Sequence, residues 1–379
     1  MSATILNVLF FLITLELIGY PLFILLFSYR RKTHSTAKLP FISIIIPAYN
    51  EEKFIAKKLN NLKNLDYPQG KLEILVVVDG STDKTASIVK RFRSVKLFSN
   101  KVRKGNAVSI NFAVTKAKGE FLLITDSDSF FAGDSILKAL DNFGNETGAV
   151  CGIVDKIFSS RSPILKALNL SWYFMSARQL AESNIDSTLP LLGPFALIKR
   201  SAFRNMSTDT FVNDLDLALL IRKAGYKVHT SQSVKVSFYN PASLSRVLKQ
   251  RRRQIFGATR TLLRFKEFLF NSKYGLFGVF IYPRYLYHTV LKKFLVALFL
   301  IYSFYLYSLG SQTISYVLYL IVSLIISQLL FGLTTVIRFN KPLSFLLFSV
   351  VRIIYLPILM VNNFLASIFA MTRKQISWR

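Results

Sequence analysis

The sequence predicts an α/β fold, a mostly parallel sheet in the middle of the chain flanked by transmembrane and interfacial α-helices. Three observations predict it. Hydrophobic residues make up 52% of the 379, and the mean hydropathy is +0.38, too apolar for a soluble domain of this length. The apolar residues gather in long runs at the two ends. Between those runs, short β-branched stretches alternate with helical patterns, the order that gives parallel strands with helices on both faces.

The first run, Ala3 to Phe27, is broken only by Glu16 and Pro21 and is long enough to span a bilayer. No charged side chain precedes it, and Arg30, Arg31 and Lys32 follow, the reverse of a cleaved secretory signal. By the positive-inside tendency the N-terminus lies outside and the next domain in the cytoplasm of an integral membrane protein. Glu16 stands mid-span, where an ionisable group is costly. It is expected to pair with a cation such as Arg352, to line a groove, or to pack as a neutral acid.

The expected domains are a first span over 1–29, an α/β domain over 39–256, interfacial helices over 257–293 and membrane helices over 294–371. In the α/β domain, strands are expected at Phe41–Ile46, Glu73–Val78, Val95–Phe98, Glu120–Thr125 and Lys227–His229. Helices are expected at Lys53–Leu65, Thr82–Arg93 and Asn106–Lys116. Tyr274–Lys293 mixes aromatic and basic residues and suits a helix on the membrane surface. Phe294–Leu309 and Ile314–Ile337 read as a hairpin around Gly310–Gln312, after which Arg338 and Lys341 return the chain to the cytoplasm. Leu343–Met371, interrupted by Arg352 and Pro357, reads as an interfacial helix to about Val351 and then a fourth span. Arg373, Lys374 and Arg379 would then lie outside, so a re-entrant segment is the alternative.

The net charge of +29 fits an anionic lipid surface or an anionic substrate. No zinc-finger spacing or aromatic-basic RNA signature is present, so nucleic acid is not the expected partner. Cys151 is the only cysteine, and His34, His229 and His288 are scattered, which excludes an intrachain disulfide and a thiolate or histidine metal cage. The glycine fingerprint of dinucleotide folds, the P-loop and the serine nucleophile elbow are all missing.

Ligands of open α/β sheets bind beyond the carboxyl ends of the strands, and three expected strands end in polar clusters. Pro47-Ala48-Tyr49-Asn50-Glu51-Glu52 follows the first, with acids suited to a helix start. Asp79-Gly80-Ser81-Thr82-Asp83 follows the second and also reads as a helix cap. Asp126-Ser127-Asp128 follows another. Its two carboxylates repel unless a cation joins them, and a hard divalent ion, Mg2+ or Mn2+, shared with a diphosphate, is the natural one.

These residues resemble a known family. "SIIIPAYNEE", "VVVDGSTDKT", "KGNAVSIN" and "ITDSD" are similar, in that order, to the motifs of family 2 inverting glycosyltransferases of the GT-A fold. The resemblance covers Phe41 to Gln254 and extends to membrane-integrated synthases of cellulose, hyaluronan and poly-N-acetylglucosamine. It implies a nucleotide-sugar donor, UDP-linked by the same resemblance, and a glycan or lipid-linked acceptor. The Pro47–Glu51 loop, with Tyr49, and Asp79 would hold base and ribose, with Lys104 near the nucleotide. Asp126 and Asp128 would contact donor and metal, Asp128 ligating the metal directly. Gly193-Pro194-Phe195 resembles the acceptor-side loop. Val212-Asn213-Asp214-Leu215-Asp216-Leu217 resembles the segment of the catalytic base. Asp214 is the first candidate for that base; Asn213 replaces the usual Glu, which keeps Asp216 as an alternative or an acceptor contact. Gln250-Arg251-Arg252-Arg253-Gln254 resembles the Q-x-x-R-W element through Gln250 and Arg253, with Gln254 in place of Trp. Its arginines suit either a diphosphate clamp or lipid headgroups. Extension of a glycan is the expected activity, with transfer of one sugar to a polyprenyl phosphate or other lipid-linked acceptor as the alternative. A non-catalytic nucleotide-sensing membrane protein is the remaining one.

Overall fold

The computed structural model describes residues 2–29, 39–158, 163–240, 243–310 and 313–372. Arg30, Arg31, Lys32, Ser311, Gln312, Arg373, Lys374 and Arg379, on which the topology expectations drew, lie outside the described residues. The chain divides into two compact units. One holds Arg30–Phe158 and Asp186–Asn240, the other Met1–Tyr29, Ser159–Ile185 and Pro241–Arg379. Residues 159–185 and 241–256, read from sequence as part of the α/β domain, thus fall with the helices.

Among the described residues the first unit has eight strands: β1 Ile42–Ala48, β2 Leu72–Asp79, β3 Val95–Asn100, β4 Phe121–Ile124, β5 Ser129–Phe131, β6 Thr147–Phe158, β7 Ala196–Lys199 and β8 Lys227–Tyr239. Their order is β3-β2-β1-β4-β7-β6-β8-β5. β3, β2, β1 and β4 run parallel, as do β6 and β8, while β7 is antiparallel to both neighbours and β5 to β8. The mostly parallel sheet expected from the sequence is present. In β1, Ile42, Ile44, Ile45 and Ile46 are all buried, the continuous apolar run of a strand covered on both faces. Pro47 does not end β1, which pairs with β2 through Ala48. The last β1–β4 pair is Ile45–Ile124, so the missing N–H of Pro47 costs no bond to β4.

The helix Asn106–Lys116 has the expected bounds. Ile55–Lys63 buries Ile55, Lys58, Leu59 and Leu62 in one stripe, the spacing of a helix seated on a sheet. Lys58 is the anomaly in that stripe.

The second unit is helical. Thr4–Phe27, Phe277–Ser308 and Ile314–Phe339 are each long and apolar enough to cross a membrane. Ser344–Ile354 and Ile358–Thr372 are bent by 58° about a short break and make a fourth span if counted together. The break covers residues 355–357, a few residues beyond the position expected for it. Tyr274–Lys293 is not a separate surface helix. From Phe277 it runs into the span ending at Ser308, through wide turns at Phe277–Ile281 and Tyr287–Leu291 that flank Pro283. Glu16 does not meet Arg352. Its Oε1 accepts from Arg284 at 2.8 Å, with His288 Nδ1 at 3.1 Å. Arg352 instead lies over the Phe331 ring, 4.5 Å from its centroid.

Candidate active site

The loops after β1 and β2 are stitched together. The Asn50 and Glu51 amides donate to Ser81 Oγ and Thr85 Oγ1, and Thr82 N donates back to Asn50 Oδ1. Glu52 N bonds Asp83 Oδ2, and Lys84 N bonds Glu52 Oε2. The two acidic clusters therefore cap each other, as their cap-like sequences allow, and this fixes where the remaining polar side chains stand.

Asp79 is buried at the end of β2 and accepts from Asn100 Nδ2, Lys104 N and Gly105 N at 2.8, 2.9 and 2.7 Å. It folds the 100–105 loop over the sheet edge and delivers the N-terminus of the Asn106–Lys116 helix. Gly80 is required there: its φ is +71°, and a Cβ would fall 2.4 Å from Arg103 N. The Arg103 guanidinium covers the Tyr49 ring at 4.0 Å from its centroid. The Lys104 side chain is exposed.

After β4, Asp126 and Asp128 are half-buried and Ser127 is buried. Burial pushes Asp128 up to about 7, and the charges of Asp126 and Glu51 add to it. Burial likewise raises Glu51 to about 7, against a hydrogen bond from Ser127 and with Asp126 and Asp83 adding to the rise. Asp126 is raised by burial, with Lys58 opposing. Carboxylates from the β1 and β4 loops thus crowd together, and their like charges disfavour one another.

The internal counter-charge is Lys58. Its Nζ, wholly buried, donates to Thr125 Oγ1, Ser129 O and Ser129 Oγ at 2.7, 2.8 and 3.3 Å. Burial lowers it to about 7, against the pull of Asp126 and Asp128. Thr125 Oγ1 and Ser129 Oγ in turn reach Pro194 O at 2.7 and 3.1 Å. A buried network therefore ties the D-x-D turn to the Gly193–Pro194 loop. Gly193 stands beside Asp126: a Cβ on it would touch Asp126 Oδ2 at 3.4 Å, an ordinary contact.

A pocket opens here, lined by Asp126, Gly193 and Asp214 with Asn106, Asn213 and Met206 among its walls. Asp214 and Asp216 both belong to the first turn of the Asn213–Lys223 helix, and the fold separates them. Asp214 faces the pocket. Asp216 is fully buried, and its Oδ2 accepts from Ser207 N at 3.1 Å, so it anchors the 207 segment rather than meeting an acceptor. Cys151 lies behind the same loop, taking a bond from Leu192 N, and burial pushes its thiol up to about 12. It is an inert core residue. Gln250 and Arg253 lie on the helix Leu244–Arg264 of the other unit.

Among the described residues no three His, Cys, Asp or Glu side chains converge as a closed metal cage. The crowded pair Asp126 and Asp128 nonetheless fits a hard cation that keeps most of its coordination for water and phosphate oxygens, the habit of Mg2+.

Residues 43–207 match the family described as Glycosyl transferase family 2. The chain carries a family 2 glycosyltransferase domain. That domain is 29% identical over 234 residues to a dolichyl N-acetyl-α-D-glucosaminyl phosphate 3-β-D-2,3-diacetamido-2,3-dideoxy-β-D-glucuronosyltransferase of Methanococcus voltae, covering 55% of this chain and 70% of that one. It is 30% identical over 201 residues to a β-monoglucosyldiacylglycerol synthase of Nostoc, covering 47% and 40%. It is 25% identical over 233 residues to a poly-β-1,6-N-acetyl-D-glucosamine synthase of Staphylococcus epidermidis, covering 59% and 56%. The chain thus spans about half the length of the latter two. A mannosyltransferase of Pyrobaculum calidifontis, solved with GDP-Man and Mn2+, superimposes with a TM-score of 0.69 at 20% identity, over 98% of this chain and 100% of that one. The fold of the family 2 domain is GT-A.

Lys58, Thr125, Ser129 and Asn106 escaped the sequence reading. For Lys58 a signal existed: a charge at a position whose helical neighbours Ile55, Leu59 and Leu62 are all apolar.

Proposed function

We propose that the chain is a membrane glycosyltransferase that moves a sugar from a nucleotide-sugar, UDP-linked by resemblance, to a glycan or lipid-linked acceptor with inversion. The observation that carries this reading is the meeting of Asp126, Gly193 and Asp214 in one pocket at the carboxyl edge of the parallel strands.

Asp214 takes the proton from the acceptor hydroxyl as that oxygen attacks the anomeric carbon from the side opposite the leaving nucleotide. Asp128 and Asp126 would hold Mg2+ or Mn2+, and the ion would supply positive charge opposite the departing diphosphate. Lys58 keeps both carboxylates at one spot through Thr125 and Ser129. The Tyr49 ring with the Arg103 guanidinium offers a flat face suited to a nucleobase, and Asp79 shapes the loop beside it. The three basic residues at 30–32 support a cytoplasmic catalytic domain with the N-terminus outside.

The test is incubation of the purified full chain with UDP- and GDP-sugars in Mn2+ or Mg2+, reading released nucleotide and then product size. Release from one donor, dependent on the metal and increased by membrane extract, is expected. Release from none, with or without acceptor, contradicts the reading.

A further inference from the structure

The helical unit holds buried cations that its own acids do not balance. Glu16, Glu182 and Glu267 are the only acidic residues in its three segments, against many Lys and Arg. Glu16 is engaged by Arg284 and His288. Glu182 accepts two bonds from Arg178 Nη1 and one from Tyr20 OH.

Lys293, also buried, gives its Nζ to Thr289 O and Ser367 Oγ, whereas Arg251 and Arg352 keep sealed nitrogens with no acceptor among the described residues. Arg352 sits just before the break between Ser344–Ile354 and Ile358–Thr372. Its Nε and Nη1 are sealed from solvent and donate to nothing among the described residues; its one contact of note is the Phe331 ring. Arg251, on the Leu244–Arg264 helix, donates from Nη2 to Ser171 Oγ at 2.5 Å, while its Nε is also sealed and unpartnered. Arg251 bonds Ser171 while Arg352 covers the Phe331 ring, which stacks on Phe174 one turn further along the helix that carries Ser171, so the two guanidiniums converge on one place, and neither forms an ion pair with a described carboxylate. The helices that carry them are fastened together beside this point. Arg252 Nε donates to Asn362 Oδ1 at 3.1 Å, and Val247 packs with Leu165, Leu168 and Leu359. Like charges held together by the fold, with N–H groups withheld from water, are unfavourable unless an anion joins them.

We propose that Arg251 and Arg352 form a binding site for a phosphate group, that of a phosphate-bearing membrane lipid. Guanidinium forks match phosphate oxygens in geometry and charge, and an ionisable residue inside a membrane segment ordinarily faces a functional partner. The unpaired nitrogens on both arginines match the acceptor oxygens that a phosphate presents. The site lies within the helical unit and stands whether or not the lipid it holds accepts the sugar.

Binding separates the possibilities without any sugar transfer. The full chain in neutral detergent is titrated with a short-chain polyprenyl monophosphate, with the matching polyprenol, and with inorganic phosphate, and retention is read by native mass spectrometry. The wild type is expected to hold the lipid phosphate roughly tenfold to a hundredfold more tightly than the alcohol, the scale of hydrogen bonds to charged groups. Arg352→Met should erase that difference, and Arg352→Lys should restore part of it. If Arg352→Met does not fold, Arg251→Gln reads the same loss from the other side. Equal retention of phosphate and alcohol by the wild type, or an undiminished preference in folded Arg352→Met or Arg251→Gln, overturns the proposal. Displacement of the lipid by millimolar inorganic phosphate overturns the lipid assignment and leaves a free-anion site.

Discussion

The two units of this chain carry opposite electrostatic problems. In the sheet unit, Glu51, Asp126 and Asp128 crowd around one turn with Lys58 beneath it. In the helical unit, Arg251 and Arg352 approach one another with no described carboxylate between them. Each is an imbalance that folding alone does not remove, because taking a charge out of water is costly unless an opposite charge meets it. One of those carboxylates, Asp126, lines the pocket, and a cation with a diphosphate would complete the acidic imbalance there. The basic one sits among apolar helices, where a lipid phosphate completes it. Buried charge without a partner thus points to a ligand of opposite sign.

Four substitutions break or sharpen that contrast. Asp214→Asn removes the proposed base and should lower sugar transfer by roughly 10²–10⁴-fold, with nucleotide affinity retained; steady-state turnover beside a nucleotide titration checks both. Lys58→Met leaves the carboxylates without their internal partner and strips bonds from Thr125 and Ser129. Its cost should be about 3 kcal/mol of stability, read as a lower thermal midpoint of the solubilised protein. Gly80→Ala forces a Cβ into the 102–103 backbone and should cost about 2 kcal/mol, loosening the loop that Asp79 holds. Glu16→Gln weakens an interhelical contact by about 1 kcal/mol, and turnover per folded molecule should be unchanged. A large loss of turnover there would put the ion pair in the chemistry.

The sequence revealed the half of the sheet whose strands are continuous apolar runs closed by polar loops. β1, β2 and β4 were expected within a few residues because a buried parallel strand advertises itself, and β3, half-exposed at the sheet edge, because Val95–Phe98 is β-prone. β5 and β7 span only Ser129–Phe131 and Ala196–Lys199, too short for a period to emerge, and each is specified by a partner far along the chain. The pocket was legible in outline, since Asp126, Gly193 and Asp214 were all named from motifs. The choice between Asp214 and Asp216 was not, because residues two apart on a helix face nearly opposite ways and only the packed fold says which way is out. Glu16 found Arg284 and His288, more than 260 residues away, a pairing that local pattern does not encode.

The account rests on the carboxylates after β4 receiving a cation together with a diphosphate. Calorimetric titration of UDP and GDP into the full chain, with Mn2+ and with chelator, measures this directly for the wild type and for Asp128→Asn. One nucleotide should bind in the presence of metal, bind at least tenfold more weakly without it, and lose that dependence in Asp128→Asn. Binding of equal strength under all these conditions, or of neither nucleotide under any, would contradict it.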